Sequence, residues 1–152
     1  MRVAYRVLAY LVAIEVAVQA AVMVWAIAGL GIWVDDGGVV DKTIMESSDE
    51  PFPEVAGFGI HWFNGMMIVP AIALLLLIAS FFAKIPRGIV FALVILALVV
   101  LQVFLGLFGH EASFWGILHG INALALFSTA VRAGMRTQGP AVAPSMTDHA
   151  AA

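Results

Sequence analysis

Residues 57–83 read GFGIHWFNGMMIVPAIALLLLIASFFA, an apolar run with no Asp, Glu, Lys or Arg and with His61 and Asn64 near its start. About 20 apolar residues rising roughly 1.5 Å each cross a hydrocarbon layer of about 30 Å. The run is long enough for a transmembrane helix. It also lacks the alternating polarity of the roughly ten-residue strands in a membrane barrel. Three further runs of the same kind, at 7–34, 88–109 and 114–131, give an expected all-α fold: a four-helix transmembrane bundle running up-down-up-down over residues 1–134. The first run extends well past a signal-peptide core of roughly 7–15 apolar residues, although Val18-Gln19-Ala20 loosely resembles a cleavage site. Residues 135–152, with Pro140, Pro144 and several alanines, lack large apolar side chains and are expected to form a disordered cytoplasmic tail.

Composition agrees with the spans. The chain has 152 residues, of which 63% are hydrophobic and 11% charged, far fewer charges than a water-facing surface of this size needs. It has no cysteine, which excludes disulfide scaffolds, thiolate metal sites, iron–sulfur clusters and thiol nucleophiles. Redox or metal chemistry would have to use histidine, methionine, carboxylate or a bound cofactor. No phosphate-cradling glycine motif, serine nucleophile elbow or basic nucleic-acid patch is present, so no nucleic-acid partner is expected.

The net charge of −3 conceals a sharp division. Arg2, Arg6, Lys84, Arg87, Arg132 and Arg136 flank the spans on one side, which by the positive-inside rule is cytoplasmic. The opposite side receives the loop 35–56, with Asp35, Asp36, Asp41, Glu46, Asp49, Glu50 and Glu54 against Lys42 alone. Both termini are therefore expected in the cytoplasm of a multi-pass plasma-membrane protein whose first partner is the lipid bilayer. Trp33, Trp62 and Trp115 fall near the outer interface. The acidic loop lacks the ligand spacing of a calcium site and reads as solvated, with docking of a small cationic electron carrier as the functional alternative.

Two histidines lie inside spans. His61 and His119 sit at similar distances from the outer ends of the second and fourth spans, both about 10 Å deep at ~1.5 Å per residue. Helical neighbours on the same face are small: Gly57 and Gly65 flank His61, and Gly116 and Ala123 flank His119. Each histidine is followed three positions later by an asparagine, Asn64 or Asn122. With Gln19 and Gln102 late in the odd spans, this suggests two pseudo-repeated helical hairpins. Matched imidazoles beside small residues suit a b-type haem (haem b), with His61 and His119 as axial iron ligands and Gly57, Gly65, Gly116, Ala123, Asn64 and Asn122 around the macrocycle. The bland alternative is small-residue packing with histidines that only hydrogen-bond across helices, in a cofactor-free structural or assembly subunit.

Gln102-Val103-Phe104-Leu105-Gly106, a short turn and then Leu118-His119 resemble one four-helix half of heme A synthase and related bis-histidine b-haem bundles. The resemblance covers roughly residues 5–134. It implies axial ligation by His61 and His119 near the outer face. The family's oxidising half has a glutamate one turn before its first histidine, where this chain has Gly57 and Phe58, and cysteines in its first outer loop, where this chain has none. The enzymatic activity is accordingly not carried over. A single-haem role in electron transfer, or as an accessory subunit of a respiratory complex, is the expected function.

Other residues carry weaker expectations. Glu15, one turn before Gln19, reads as a protonated, hydrogen-bonded or interfacial carboxylate without a partner in the other spans, with a proton relay or a group tuning the haem as the functional alternative. His110 and Glu111 fall in the outer turn, Ser113 is a candidate cap for the fourth helix, and His149 lies in the tail. Pro70 frees the Met66 carbonyl and bends the second span. Met66 and Met67 are gap-fillers or soft ligands.

Overall fold

The computed structural model describes residues 1–46, 49–109 and 111–137. All regular structure among them is helical: α1 (Arg2–Asp35), a short α2 (Lys42–Glu46), a 3₁₀ turn (Pro53–Val55), α3 (Ala56–Phe63), a π turn (Asn64–Ile68), α4 (Val69–Ala83), α5 (Gly88–Phe108) and α6 (Ser113–Met135). The second apolar run is continuous from Pro53 to Ala83, and it, α1, α5 and α6 are each long and apolar enough to cross a membrane. The helices reach beyond the apolar runs because basic residues continue them: α1 starts at Arg2, and α6 carries Arg132 in its last turn and ends at Met135. The expected tail thus begins later than residue 135, and His149 and the tail prolines lie outside the described residues, as does His110. Ser113 is the first helical residue rather than the cap, which is Ala112 with no side-chain cap bond.

The helices form a ring in which α1 packs on α4 and α6, and α5 packs on α4 and α6. Its interior is built from Tyr5, Ala9, Val12 and Ala13 of α1, Val69, Ala73, Leu76 and Ala83 of α4, Ala92, Ile95 and Val99 of α5, and Leu126, Ala130 and Ala133 of α6. Alanine at so many of these positions lets helix axes approach closely, the packing mode that holds apolar helices together where water does not drive association. The start of α1, the 84–87 turn and the end of α6 meet at this end of the ring. Tyr5 Oη donates to the Gly88 carbonyl (3.1 Å), Arg2 to the Lys84 carbonyl (3.3 Å), and the Arg136 guanidinium stacks over Phe91 (4.8 Å).

At the other end the loop folds back on α1. Phe52 is buried against Trp33, with ring centres 5.6 Å apart, Gly38 lies against Trp33, and Glu54 lies over Gly29. The loop is thus only partly solvated: α2 is largely exposed, with a Lys42–Glu46 ion pair, while Phe52 and Glu54 are packed.

The second span changes neighbours along its length. Val69 N–H bonds to the Asn64 carbonyl five residues back, so the wider π turn takes up the disruption expected from Pro70. Beyond it α3 packs on α1 and makes no comparable contact with α5 or α6. A cleft of about 520 Å³ opens there, lined by Met23 of α1, Phe58, His61 and Trp62 of α3, Met66 of the π turn, Val103, Leu105, Gly106 and Leu107 of α5, and Gly116 and His119 of α6.

Candidate functional site

One hydrogen-bond pattern occurs twice beneath this cleft. In the second hairpin the Gln102 main-chain carbonyl lies 3.1 Å from His119 Nδ1, and the Gln102 amide nitrogen donates to the His119 carbonyl (3.0 Å). The Gln102 side-chain oxygen accepts from Asn122 Nδ2 (2.5 Å), which also donates to the Leu98 carbonyl (2.9 Å). In the first hairpin the Gln19 main-chain carbonyl lies 3.1 Å from His61 Nδ1. With its amide turned to suit its partners, Gln19 donates to the His61 carbonyl (3.1 Å) and accepts from Asn64 Nδ2 (3.0 Å) and from the Gly65 N–H (3.0 Å). Asn64 Nδ2 also donates to Glu15 Oε2 (2.7 Å). Glu15 and Leu98 each stand one turn before the glutamine of their hairpin, so the two halves match position for position. They differ in the second acceptor of the asparagine, a carboxylate in the first half and a main-chain carbonyl in the second, and the first half adds the Gly65 N–H bond to the Gln19 oxygen.

This network fixes the imidazoles. A carbonyl oxygen only accepts, so in His119 the nitrogen facing it carries the proton and Nε2 is left with its lone pair. His61 Nδ1 has the Gln19 amide nitrogen at 2.6 Å as well as the Gln19 carbonyl. It thus stands between one donor and one acceptor, and either ring tautomer finds a partner there. A ring held by Nδ1–H to a carbonyl, with Nε2 free, is the usual second-shell arrangement of a metal-bound histidine. The asparagines satisfy the glutamine side chains rather than line the cleft, and among the described residues every buried side-chain nitrogen and oxygen has a partner.

The two rings meet across the cleft with centroids 6.2 Å apart and planes inclined at 51°. Metal–imidazole bonds of about 2.0–2.1 Å, plus about 1.1–1.2 Å from ring nitrogen to ring centre, put two rings on opposite sides of one ion at a centroid separation of about 6.4 Å. Among the described residues no three His, Asp or Glu side chains cluster as a metal site would require. An ion held by protein alone takes about four such ligands. Two imidazoles are what a macrocycle with four nitrogens of its own leaves for the protein to supply, and a cleft of this size lies within the roughly 300–1,000 Å³ typical of cofactor pockets.

Of the residues expected around the cofactor, His61, His119 and Gly116 line the cleft, and a Cβ on Gly116 would meet nothing within 4 Å. Gly57 faces α1 instead, where a Cβ would stand 2.7 Å from the Val22 carbonyl and 3.0 Å from Ala26 Cβ; its bareness serves helix packing. Gly65 faces the Gln19 amide, Ala123 is half-buried one turn past His119, and Asn64 and Asn122 belong to the polar layer. Glu15, expected to lack a partner in the other spans, has one in Asn64. The sequence reading gave no site role to Gly106, against which the His119 ring rests: a Cβ there would be 3.3 Å from Cε1. Its signal is spacing. Gly106 lies one turn beyond Gln102, where a ring bonded to the Gln102 carbonyl must lie, and Met23 holds the same place after Gln19.

Comparison of the chain with protein-family models, with curated proteins and with solved structures gives no match.

Proposed function

We propose that this chain is a multi-pass membrane protein that holds one b-type haem between His61 and His119 and serves one-electron transfer, as a small membrane cytochrome or an accessory subunit of a respiratory complex. The observation that carries the reading is the pair of imidazoles whose centroids lie 6.2 Å apart in the cleft, each with Nδ1 beside the main-chain carbonyl of a glutamine. Iron with two imidazole ligands supplies a one-electron couple and has no open position for oxygen chemistry.

The residues of the chain do the rest. Gln19 and Gln102 hold the ligand rings in place, Asn64 and Asn122 hold the glutamines, and Phe58, Trp62, Val103 and Leu107 give a flat apolar group an apolar wall. In this reading the spans run up-down-up-down through the plasma membrane, with the end bearing Arg2, Lys84 and Arg136 in the cytoplasm and the acidic loop outside. That loop then stands close to the haem end of the bundle, where a cationic electron carrier would be drawn to it.

Purification from cells supplied with haem, with reduced-minus-oxidised spectra of the wild type, His61→Ala and His119→Ala, tests the site. Sharp low-spin b-type bands lost in both variants are expected. A colourless wild type, or colour indifferent to both changes, would return the network to a packing role in a cofactor-free scaffold.

A further inference from the structure

The two hairpins share their histidine, glutamine and asparagine contacts and differ in what takes the second proton of the asparagine. Asn122 gives its second proton to the Leu98 carbonyl, which cannot change charge. Asn64 gives its second proton to Glu15 Oε2, which can. Glu15 is half-buried and is the only carboxylate of α1 before Asp35. Around it, α4 and α5 contain no ionisable side chain, the second span contributes His61 beyond Asn64, α6 contributes His119 and, at its far end, Arg132, and Tyr10 lies on α1 itself. From Glu15 the hydrogen bonds run to the Asn64 amide and from there to the Gln19 side-chain oxygen, and the Gln19 main-chain carbonyl stands 3.1 Å from His61 Nδ1. An intramembrane carboxylate is costly unless it serves a function, and a change of one charge at the site is felt strongly through a medium of low dielectric.

Resting on the haem reading, we propose that Glu15 is a proton-binding site coupled to the redox state of the group held by His61 and His119. With the group in place, its reduction by a one-electron donor would be matched by one proton taken from water at Glu15, so that the charge of the site as a whole would be unchanged, and its oxidation would release both. Glu15 acts through Asn64 and Gln19 and does not touch the iron, so it is a positioning and charge-compensating residue. The asparagine keeps a hydrogen bond to either form of the carboxyl, which lets protonation change without rearranging the ligand.

Potentiometric titration of the purified haem protein with mediator dyes over a series of pH values tests this. In the wild type the midpoint potential is expected to fall as pH rises, approaching a tenfold change in the reduction equilibrium per pH unit, or about 59 mV for one electron. Glu15→Gln, which keeps an amide oxygen as acceptor for Asn64, should flatten the dependence while leaving the low-spin bands in place. In infrared difference spectra of the wild type, reduction should produce a protonated-carboxyl band that exchanges in deuterium oxide. A coloured wild type with a pH-independent potential, a slope that survives Glu15→Gln, or no carboxyl band on reduction would each overturn the coupling while leaving haem binding intact. Should Glu15→Gln fail to accumulate, the wild-type slope and infrared band decide the matter. A colourless wild type would overturn the haem reading and the coupling with it.

Discussion

Gln102 reaches three partners from one residue: its carbonyl takes the His119 ring proton, its amide nitrogen caps the His119 carbonyl, and its amide oxygen holds Asn122. Gln102→Leu keeps the main-chain acceptor but strips both side-chain bonds, so His119 loses the support that holds its helix in register with α5. Haem affinity should fall by about 10–100-fold, the usual effect of losing a second-shell partner, as measured by titrating the apoprotein with hemin. Gly106→Val should be at least as damaging, because the added Cβ would stand 3.3 Å from the His119 ring and its methyls would extend into the ring's place. The same titration, showing loss of the low-spin bands at Gly106→Val but not at the open Gly120→Val, checks this. The histidines, asparagines and glutamines were legible in the sequence, because polar side chains in apolar runs stand out and their spacing repeats. Gly106 and the Glu15–Asn64 pair were not, because they depend on how far one helix slides past another, and an apolar run of uniform composition does not encode that displacement.

The second span is the element whose course makes the cleft. Its α4 half lies in the ring between α1 and α5, whereas its α3 half stays with α1. The π turn at Asn64–Ile68 joins the two and adds to one helical turn the residue that brings His61 and Asn64 onto their respective partners. Pro70 announced a disturbance in the sequence; its form, a widened turn ahead of the proline, follows from the partners available to the local carbonyls and was not legible. What ties α3 to α1 is Gly57, so Gly57→Leu should destabilise the fold by about 1–3 kcal/mol, the cost of forcing a side chain into a packed interface. Gly59, two residues along and with nothing within 4 Å of a Cβ, should accept leucine without that loss. Thermal unfolding in detergent, followed by helical circular dichroism, should show a clear drop in midpoint for the first variant and little change for the second.

At the scale of the whole molecule, the structure divides into an alanine-rich packed half beside the basic end, a layer of glutamine and asparagine, and an open half with the histidines beneath the acidic loop. Outside, large apolar side chains stand exposed all round, Phe82 at 63% and Leu124 at 70% among them, an outer surface that suits lipid and not water. Charge was the most legible feature at this scale, because the segregation of arginine from aspartate and glutamate is a property of the chain before it folds. The same segregation makes the orientation testable. The natural chain has no cysteine, so a single one introduced by substitution is a unique label. In intact cells, Thr43→Cys in the exposed α2 should react with a membrane-impermeant maleimide, and Ser145→Cys should react only after the membrane is opened. Labelling of Ser145→Cys in intact cells would reverse the orientation. It would place the histidine cleft toward the cytoplasm, and the electron partner would then have to be sought on that side.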